Sequence, residues 1–163
     1  MSTEERFRTI HSEEIEDAGG TDEEFFLLEK YQLGILTDHL KTHGFEYTTE
    51  GRVFCYPIDI LAARDNTTVA IEMKAEKVSR GVEQALRNSD FVDFSYLAVW
   101  EERITDSLID TVANTPVGLF SVAESISQCS PPRKTAQQLC SREQVFSSVE
   151  DHVRDNASVQ QSQ

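Results

Sequence analysis

Hydrophobic and polar positions alternate between residues 53 and 73, and this alternation predicts a β-hairpin. Its two arms, 53–62 and 68–73, are rich in β-branched and apolar residues. The segment between them, Arg-Asp-Asn-Thr at 64–67, has the composition of a turn. The sequence therefore indicates a hairpin around which the other elements are arranged.

The turn decides which residues of the hairpin face each other. A two-residue turn at Asp65 and Asn66 pairs apolar residues on one face, namely Ile58 with Met73, Ile60 with Ile71 and Ala62 with Val69. On the other face the same register places Asp59 opposite Glu72, and Lys74 points the same way because strand side chains alternate. The hairpin is thus expected to have one apolar face and one face with three charges.

The three charged residues, Asp59, Glu72 and Lys74, are the candidate functional residues of the hairpin. Opposed carboxylates on paired strands have Cβ atoms roughly 4.5–5.5 Å apart, and they destabilise the pair unless a positive charge lies between them. Carboxylate oxygens suit Mg²⁺ or Mn²⁺, which bind through one or two protein carboxylates and keep waters for a substrate phosphate. The Lys74 ammonium can hold a phosphate or a metal-bound water as it becomes hydroxide. Asp59, Glu72 and Lys74 therefore predict metal-assisted phosphodiester hydrolysis. In the alternative interpretation, Lys74 only pairs with one of the acids on a solvated sheet face.

Helical and strand-like patterns flank the hairpin on both sides. In chain order the predicted elements are a helix from a capping box at Thr21 to about residue 43, a strand at 45–49, the hairpin, a helix at about 80–88, a buried strand at 96–100, a helix starting at 101–103 and a last core strand at 117–122. Strand, helix and strand joined by short links imply a parallel crossover, whereas the hairpin is antiparallel. The sheet is therefore expected to be mixed.

The charged hairpin and this order of elements resemble the PD-(D/E)XK nuclease superfamily, which has the restriction-endonuclease-like fold. Its first acid corresponds to Asp59 and its Glu-x-Lys triplet to residues 72–74, at the end of an apolar strand. This chain has Pro57-Ile58-Asp59 where the motif places Pro beside Asp. The resemblance covers about residues 22–124. It implies an α/β fold, with an α-β-β-β-α-β-α-β core and a mixed sheet flanked by helices.

The resemblance also implies a role for each residue of the motif. Asp59 and Glu72, helped by the backbone carbonyl of Met73, would bind Mg²⁺ or Mn²⁺. Lys74 would position or activate the attacking water. Gln84 lies in a Gln-Ala-Leu element like that of the RecB-like and archaeal Holliday-junction-resolvase-like branches, where its amide can orient a phosphate or the charges of the triplet. The alternative for Gln84 is a polar residue on an exposed helix face.

Two further acids come from the same comparison. Members of the superfamily often carry a Glu on the helix before the hairpin, in or near the metal site, and Glu29 is the best-placed candidate, with Glu24 and Asp38 as competitors. A solvated position on the helix face is the alternative for Glu29. Asp93 begins an Asp-x-x-Tyr strand entry and is expected to hold its loop in place.

The formal charge of −14, from 29 acidic and 15 basic residues, opposes simple nucleic-acid binding. A salt-rich cytoplasm tolerates many surface acids and screens repulsion within about 3 Å at 1 M salt. The composition is therefore typical of a halophilic organism or its virus. The alternative is an ordinary acidic protein.

Length and composition indicate one domain with two tails. The 163 residues, 39% of them hydrophobic, suit a domain at 22–127 between an acidic arm, 1–21, and a linker with a weakly helical or disordered tail, 128–163. No apolar run approaches a membrane span and the N-terminus has no signal peptide, so a cytoplasmic protein is expected. Three widely spaced cysteines indicate neither a disulfide framework nor a zinc site, nor the four-cysteine iron–sulfur cluster of related exonucleases.

These patterns predict a Mg²⁺- or Mn²⁺-dependent endonuclease that acts on DNA in repair, recombination or replication. The structure of the DNA substrate is left open, and so is a homodimer, since many relatives dimerise to cut two strands. The alternative is an inactive nuclease-fold module that binds DNA or protein. The acidic composition favours that alternative, whereas the intact set of Asp59, Glu72 and Lys74 opposes it.

Overall fold

A computed structural model describes the backbone of residues 21–53, 56–134 and 149, and the side chains of residues 30–49, 58–134 and 149. The elements in chain order are α1 (Thr21–Thr42), β1 (Glu46–Val53), β2 (Tyr56–Arg64), β3 (Thr67–Lys74), α2 (Val78–Asn88), β4 (Phe94–Trp100), a 3₁₀ turn (Glu101–Arg103), α3 (Asp106–Ala113), β5 (Gly118–Val122) and β6 (Ile126–Ser130). The predicted acidic arm, apart from Thr21, and most of the predicted C-terminal tail lie outside these residues, as do Cys55 and Cys140.

The described strands form one mixed sheet in the order β1-β2-β3-β4-β5-β6. The pairs β1–β2, β2–β3 and β5–β6 are antiparallel, whereas β3–β4 and β4–β5 are parallel. Each parallel pair is joined through a helix, α2 or α3, as parallel connections require. The chain therefore has an α/β fold with a mixed sheet flanked by helices, and the predicted combination of an antiparallel hairpin and a parallel crossover is confirmed.

The register of the hairpin follows from its turn. Asp65 adopts the left-handed conformation, with φ 54°, which Asp and Asn tolerate better than most residues. The two-residue turn pairs Ile60 with Ile71 and Ala62 with Val69, which confirms these two predicted pairs. The last facing pair recorded between β2 and β3 is Ile60–Ile71, so the two pairs predicted beyond it lie outside the ladder.

Two parts of the chain differ from the prediction after β4. The helix predicted to start at 101–103 is instead a 3₁₀ turn there, and α3 begins at Asp106. The side chain of Thr105 accepts a hydrogen bond from the Leu108 N–H at 3.1 Å, so Thr105 is the N-cap that decides where the helix begins. The second difference is β6, whose last three residues fall in the predicted linker. It pairs with the edge of β5, although its alternation is too weakly apolar to show in the sequence.

The sheet has an apolar layer on each face. On one face α1 contributes Leu36 and Leu40 to a core with residues of β2 to β5, including Ile60, Ile71, Trp100 and Phe120. On the other face α2 and α3 cover a core that includes Val82, Ala85, Leu97, Val112 and Leu119. Within the described residues, no helix combines the length and the hydrophobicity needed to cross a bilayer.

The loop before β4 is attached to the start of β3 by a buried carboxylate. Asp93 is 2% exposed, and its Oδ2 accepts hydrogen bonds from the Thr68 N–H at 3.0 Å and the Thr68 hydroxyl at 3.2 Å. The Asp93 N–H donates in return to the Thr68 hydroxyl at 2.9 Å. The expected role of Asp93 in holding its loop is confirmed.

Candidate metal and catalytic site

Three of the sequence-predicted site residues lie together where β2 and β3 part. The Nζ of Lys74 is 3.5 Å from Oε1 of Glu72. Beyond the last recorded ladder pair, the N–H of Met73 donates to Oδ2 of Asp59 at 2.9 Å. This bond holds the carboxylate of β2 against the backbone of β3, directly beside Glu72. The structure thus brings Asp59 next to Glu72 and Lys74, through a side-chain bond to β3.

The two carboxylates influence each other strongly. Glu72 is 4% exposed, and its pKa is raised from 4.5 to about 7. Burial is the largest cause and repulsion from Asp59 the next, whereas the charge of Lys74 opposes the rise. One nearby cation therefore does not compensate for two acids in this buried position. A second positive charge, from a proton or a metal ion, would stabilise the pair.

A glycine of α2 makes room for Lys74. A Cβ at Gly81 would lie 2.6 Å from Cγ of Lys74 and 2.8 Å from Cδ1 of Leu97. The missing side chain therefore lets the stem of Lys74 pass beneath α2, and the lysine side chain is only 18% exposed. No role for Gly81 was predicted from the sequence. A glycine inside a predicted helix is nevertheless a recognisable signal for close packing.

A second residue that the sequence analysis missed is Gln32 of α1. The sequence around Gln32 predicts only a helix. In the structure its side chain is 0% exposed, and its Nε2 donates a hydrogen bond to the carbonyl of Lys74 at 3.1 Å. A carbonyl can only accept, so this bond fixes the orientation of the amide. Gln32 anchors the backbone of Lys74 from the α1 side of the sheet. A glutamine in the apolar stripe of a helix is the signal that could have revealed it.

Gln84 lies on α2, on the face of the helix opposite Val82 and Leu86. These two residues pack in the same apolar cluster as the apolar residues of α3. Its Oε1 is buried and makes no hydrogen bond within the described part of the chain. An acceptor in this condition costs about 1–3 kcal/mol unless a donor reaches it. Gln84 is therefore half-buried rather than the exposed helix-face residue of the alternative interpretation.

The acids predicted on α1 have different outcomes. The side chains of Glu29 and Glu24 lie outside the described residues, so their roles stay predictions. Asp38 is exposed, and it lies six residues beyond Gln32, or about 9 Å further along the helix axis. Because α1 leaves the end of β3 in that direction, Asp38 does not belong to the site.

The donor set was compared with the needs of a divalent cation. Among the described side chains, no three His, Cys, Asp or Glu residues are grouped so that they could hold an ion. The available oxygen donors are the carboxylates of Asp59 and Glu72 and the backbone carbonyl of Met73. Mg²⁺ and Mn²⁺ bind well to such hard oxygens, and Mg²⁺ usually keeps several waters and takes only one or two carboxylates. The residues fit such an ion, since it would also relieve the repulsion that raises the pKa of Glu72.

Comparison of the chain with protein-family models, with curated proteins and with solved structures finds no significant match. The function of the chain is therefore inferred from the fold and from the geometry of this site.

Proposed function

We propose that this chain is a Mg²⁺- or Mn²⁺-dependent nuclease of the PD-(D/E)XK type that hydrolyses phosphodiester bonds in DNA. The observation that carries the proposal is the coupled pair of acids, buried Glu72 and half-buried Asp59, with the ammonium of Lys74 3.5 Å from Glu72. Folding alone gives no reason to place two repelling carboxylates where β2 and β3 part. The mixed sheet supports a restriction-endonuclease-like core, to which β6 is an addition.

Each residue of the site has a part in the proposed reaction. Asp59, Glu72 and the Met73 carbonyl would hold the ion, which when bound supplies Lewis-acid polarisation of the phosphate. Lys74 orients the attacking water. When this water loses its proton, the Lys74 ammonium stabilises the negative charge of the resulting hydroxide. Gln32 holds the backbone of Lys74 in place. The Gln84 amide is available to orient the phosphate.

The proposal extends to the setting of the reaction. The acidic composition suits an endonuclease that works in the salt-rich cytoplasm of a halophilic archaeon, or of a cell infected by its virus, in repair, recombination or replication. High salt would screen the repulsion between DNA and a chain of charge −14. The substrate panel below identifies the DNA structure that is cut.

The test is cleavage of linear, nicked, branched and single-stranded DNA with Mg²⁺ or Mn²⁺, at low and at high salt. Lys74→Ala is expected to lower the cleavage rate by about 10²–10⁴-fold, the usual effect of losing a group that handles the proton of the reaction. Lys41→Ala is the matched control, because it removes an exposed lysine of α1 and should leave the rate unchanged. Equal cleavage by the two variants, or cleavage without metal, would contradict the proposal.

A second candidate is an inactive module of the same fold that binds DNA or protein. The charge of −14 favours it, because repulsion from phosphate would slow a nuclease at moderate salt. The nuclease predicts that Mg²⁺ raises the urea midpoint of the wild type but not of Asp59→Asn, because the ion binds only the folded state. Binding of DNA or protein without cleavage of any DNA would favour the module, whereas metal-dependent cleavage would exclude it.

A further inference from the structure

A cavity of about 420 Å³ lies on the opposite face of the sheet from Glu72 and Lys74. It opens between the C-terminal end of α1 and strands β2 to β6. Its floor is apolar and includes Leu40, Val69 and Ile71, which belong to the core beneath α1. Its walls and rim are formed chiefly by His39, His43, Arg64, Tyr96, Phe120 and Gln128. The volume falls within the range of about 300–1,000 Å³ that is typical of small-molecule sites.

A continuous row of four rings forms one wall of the cavity. Tyr96 and Phe120 are stacked, with ring centroids 4.1 Å apart and planes inclined by 5°. His39 meets Phe120 edge to face at 5.9 Å, and the rings of His39 and His43 are 4.2 Å apart. Because the facing surfaces of Tyr96 and Phe120 cover each other, the row offers polarisable ring edges, which can meet the face of a planar ligand in edge-to-face contacts. It therefore favours an aromatic ring over an aliphatic chain.

Arg64 places a positive charge at the rim. Its guanidinium lies 4.5 Å from the ring centroid of Phe45, and its Nη1 donates to the His43 carbonyl at 2.7 Å. These two contacts hold the group in position, and a guanidinium has five N–H donors, so one bond leaves donors for an anion. Burial and the neighbouring His43 lower the pKa of His39. Arg64, rather than His39, thus supplies the charge.

The cavity also differs in charge from the protein as a whole. The chain carries 29 acidic residues and a formal charge of −14, yet among the residues that the structure describes, none of the eleven that line the cavity is acidic. An anionic ligand therefore meets a guanidinium here without a carboxylate in the lining. The cavity combines aromatic walls with an anion-binding rim.

We propose that this cavity binds a mononucleotide, with its base against the row of rings and its phosphate at Arg64. The positive edges of aromatic rings attract the face of a base, and an arginine guanidinium matches the geometry of a phosphate. The Tyr96 hydroxyl, which donates to Oε1 of Gln128 at 3.4 Å, and the Gln128 amide supply hydrogen-bonding groups for the edge of a base. An aromatic carboxylate shares this chemistry in part, so both classes are compared below. The site is independent of the proposed nuclease function, because it lies on the other face of the sheet.

The experiment is isothermal titration of the full chain, without divalent metal, with AMP, adenosine, inorganic phosphate and indole-3-acetate. AMP is expected to bind about tenfold more tightly than adenosine, since one charge-assisted contact contributes about 1.4 kcal/mol. Arg64→Gln should abolish this difference between the two ligands. Phe120→Leu should instead weaken AMP and adenosine by a similar factor, because both ligands lose the same aromatic edge of the wall.

Two controls separate this site from general charge and from the candidate active site. Lys41→Gln removes the same charge from an exposed position on the same end of α1, outside the cavity, and should change AMP binding less than about twofold. Lys74→Ala should bind AMP as the wild type does. The proposal is overturned if AMP does not bind, if Lys41→Gln matches Arg64→Gln, or if Lys74→Ala loses AMP. Tighter binding of indole-3-acetate than of AMP would overturn the proposal of a mononucleotide and indicate that the cavity binds aromatic carboxylates.

Discussion

Ionisation of Glu72 should reduce the stability of the fold when no metal is present. The pKa of this carboxyl rises from 4.5 to about 7, chiefly through burial and then through repulsion by Asp59. Between these two pH values the unfolded chain has released the proton while the folded chain still holds it. The free energy of unfolding therefore falls as pH rises from about 4.5 to about 7, and this contribution is constant above that. The shift corresponds to about 3 kcal/mol.

Replacing the carboxyl by an amide isolates this effect. Glu72→Gln has nearly the same shape as the protonated residue but cannot ionise. At about pH 8.5 its free energy of unfolding should exceed that of the wild type by up to about 3 kcal/mol, and at about pH 4 the two should agree closely. Glu83→Gln, on the exposed side of α2, is the matched control, and it should change the free energy by less than about 0.5 kcal/mol at either pH.

The assay is urea unfolding of the three proteins in EDTA across this pH range, followed by circular dichroism. Acids that do not interact with Glu72 titrate alike in all three proteins, so the difference between wild type and variant reports Glu72 together with its coupling to Asp59. The same Glu72→Gln variant should lose metal-dependent cleavage, because it removes a carboxylate proposed to bind the metal ion. The carboxylate that lowers the stability of the fold is thus the one that the proposed function requires. A difference that does not change with pH, or a less stable variant at about pH 8.5, would refute the electrostatic reasoning about this site.

Two further predictions concern packing and buried hydrogen bonds. Gly81→Ala should lower the free energy of unfolding by about 1–3 kcal/mol in urea and slow cleavage, because its Cβ would displace the stem of Lys74. Gly34→Ala is the control, and it should be neutral or stabilising because nothing lies within 4 Å of its Cβ. Equal effects of the two substitutions would contradict the role of Gly81 in packing. Asp93→Ala should lower the free energy of unfolding by about 2–4 kcal/mol, since it removes the buried acceptor of two Thr68 donors, and a loss below about 0.5 kcal/mol would show that water replaces the carboxylate.

Local patterns in the sequence predicted the parts of the fold that depend on neighbours along the chain. The alternation of the hairpin and its two-residue turn determine the register, because a shift by one residue would move every apolar side chain to the wrong face. The same alternation predicts Asp59, Glu72 and Lys74 on one face, but in the structure Asp59 joins the other two through its side-chain bond to the Met73 N–H, beyond the β2–β3 ladder. The start of α3 was misplaced because a cap depends on one side-chain hydrogen bond, from the Leu108 N–H to Thr105, and not on periodicity.

Only the tertiary structure decided how distant segments meet. The Gln32 amide reaches the carbonyl of Lys74 across 42 residues, and the close approach of Gly81 to that lysine depends on how α2 crosses the sheet. The cavity at Arg64 combines rings from α1, β4 and β5, whose spacing in the sequence carries no common pattern. Periodicity records which face of an element is buried, but not which other element covers that face. The physical reason is that side-chain alternation is set by the backbone of one strand, whereas a site between elements is set by their packing.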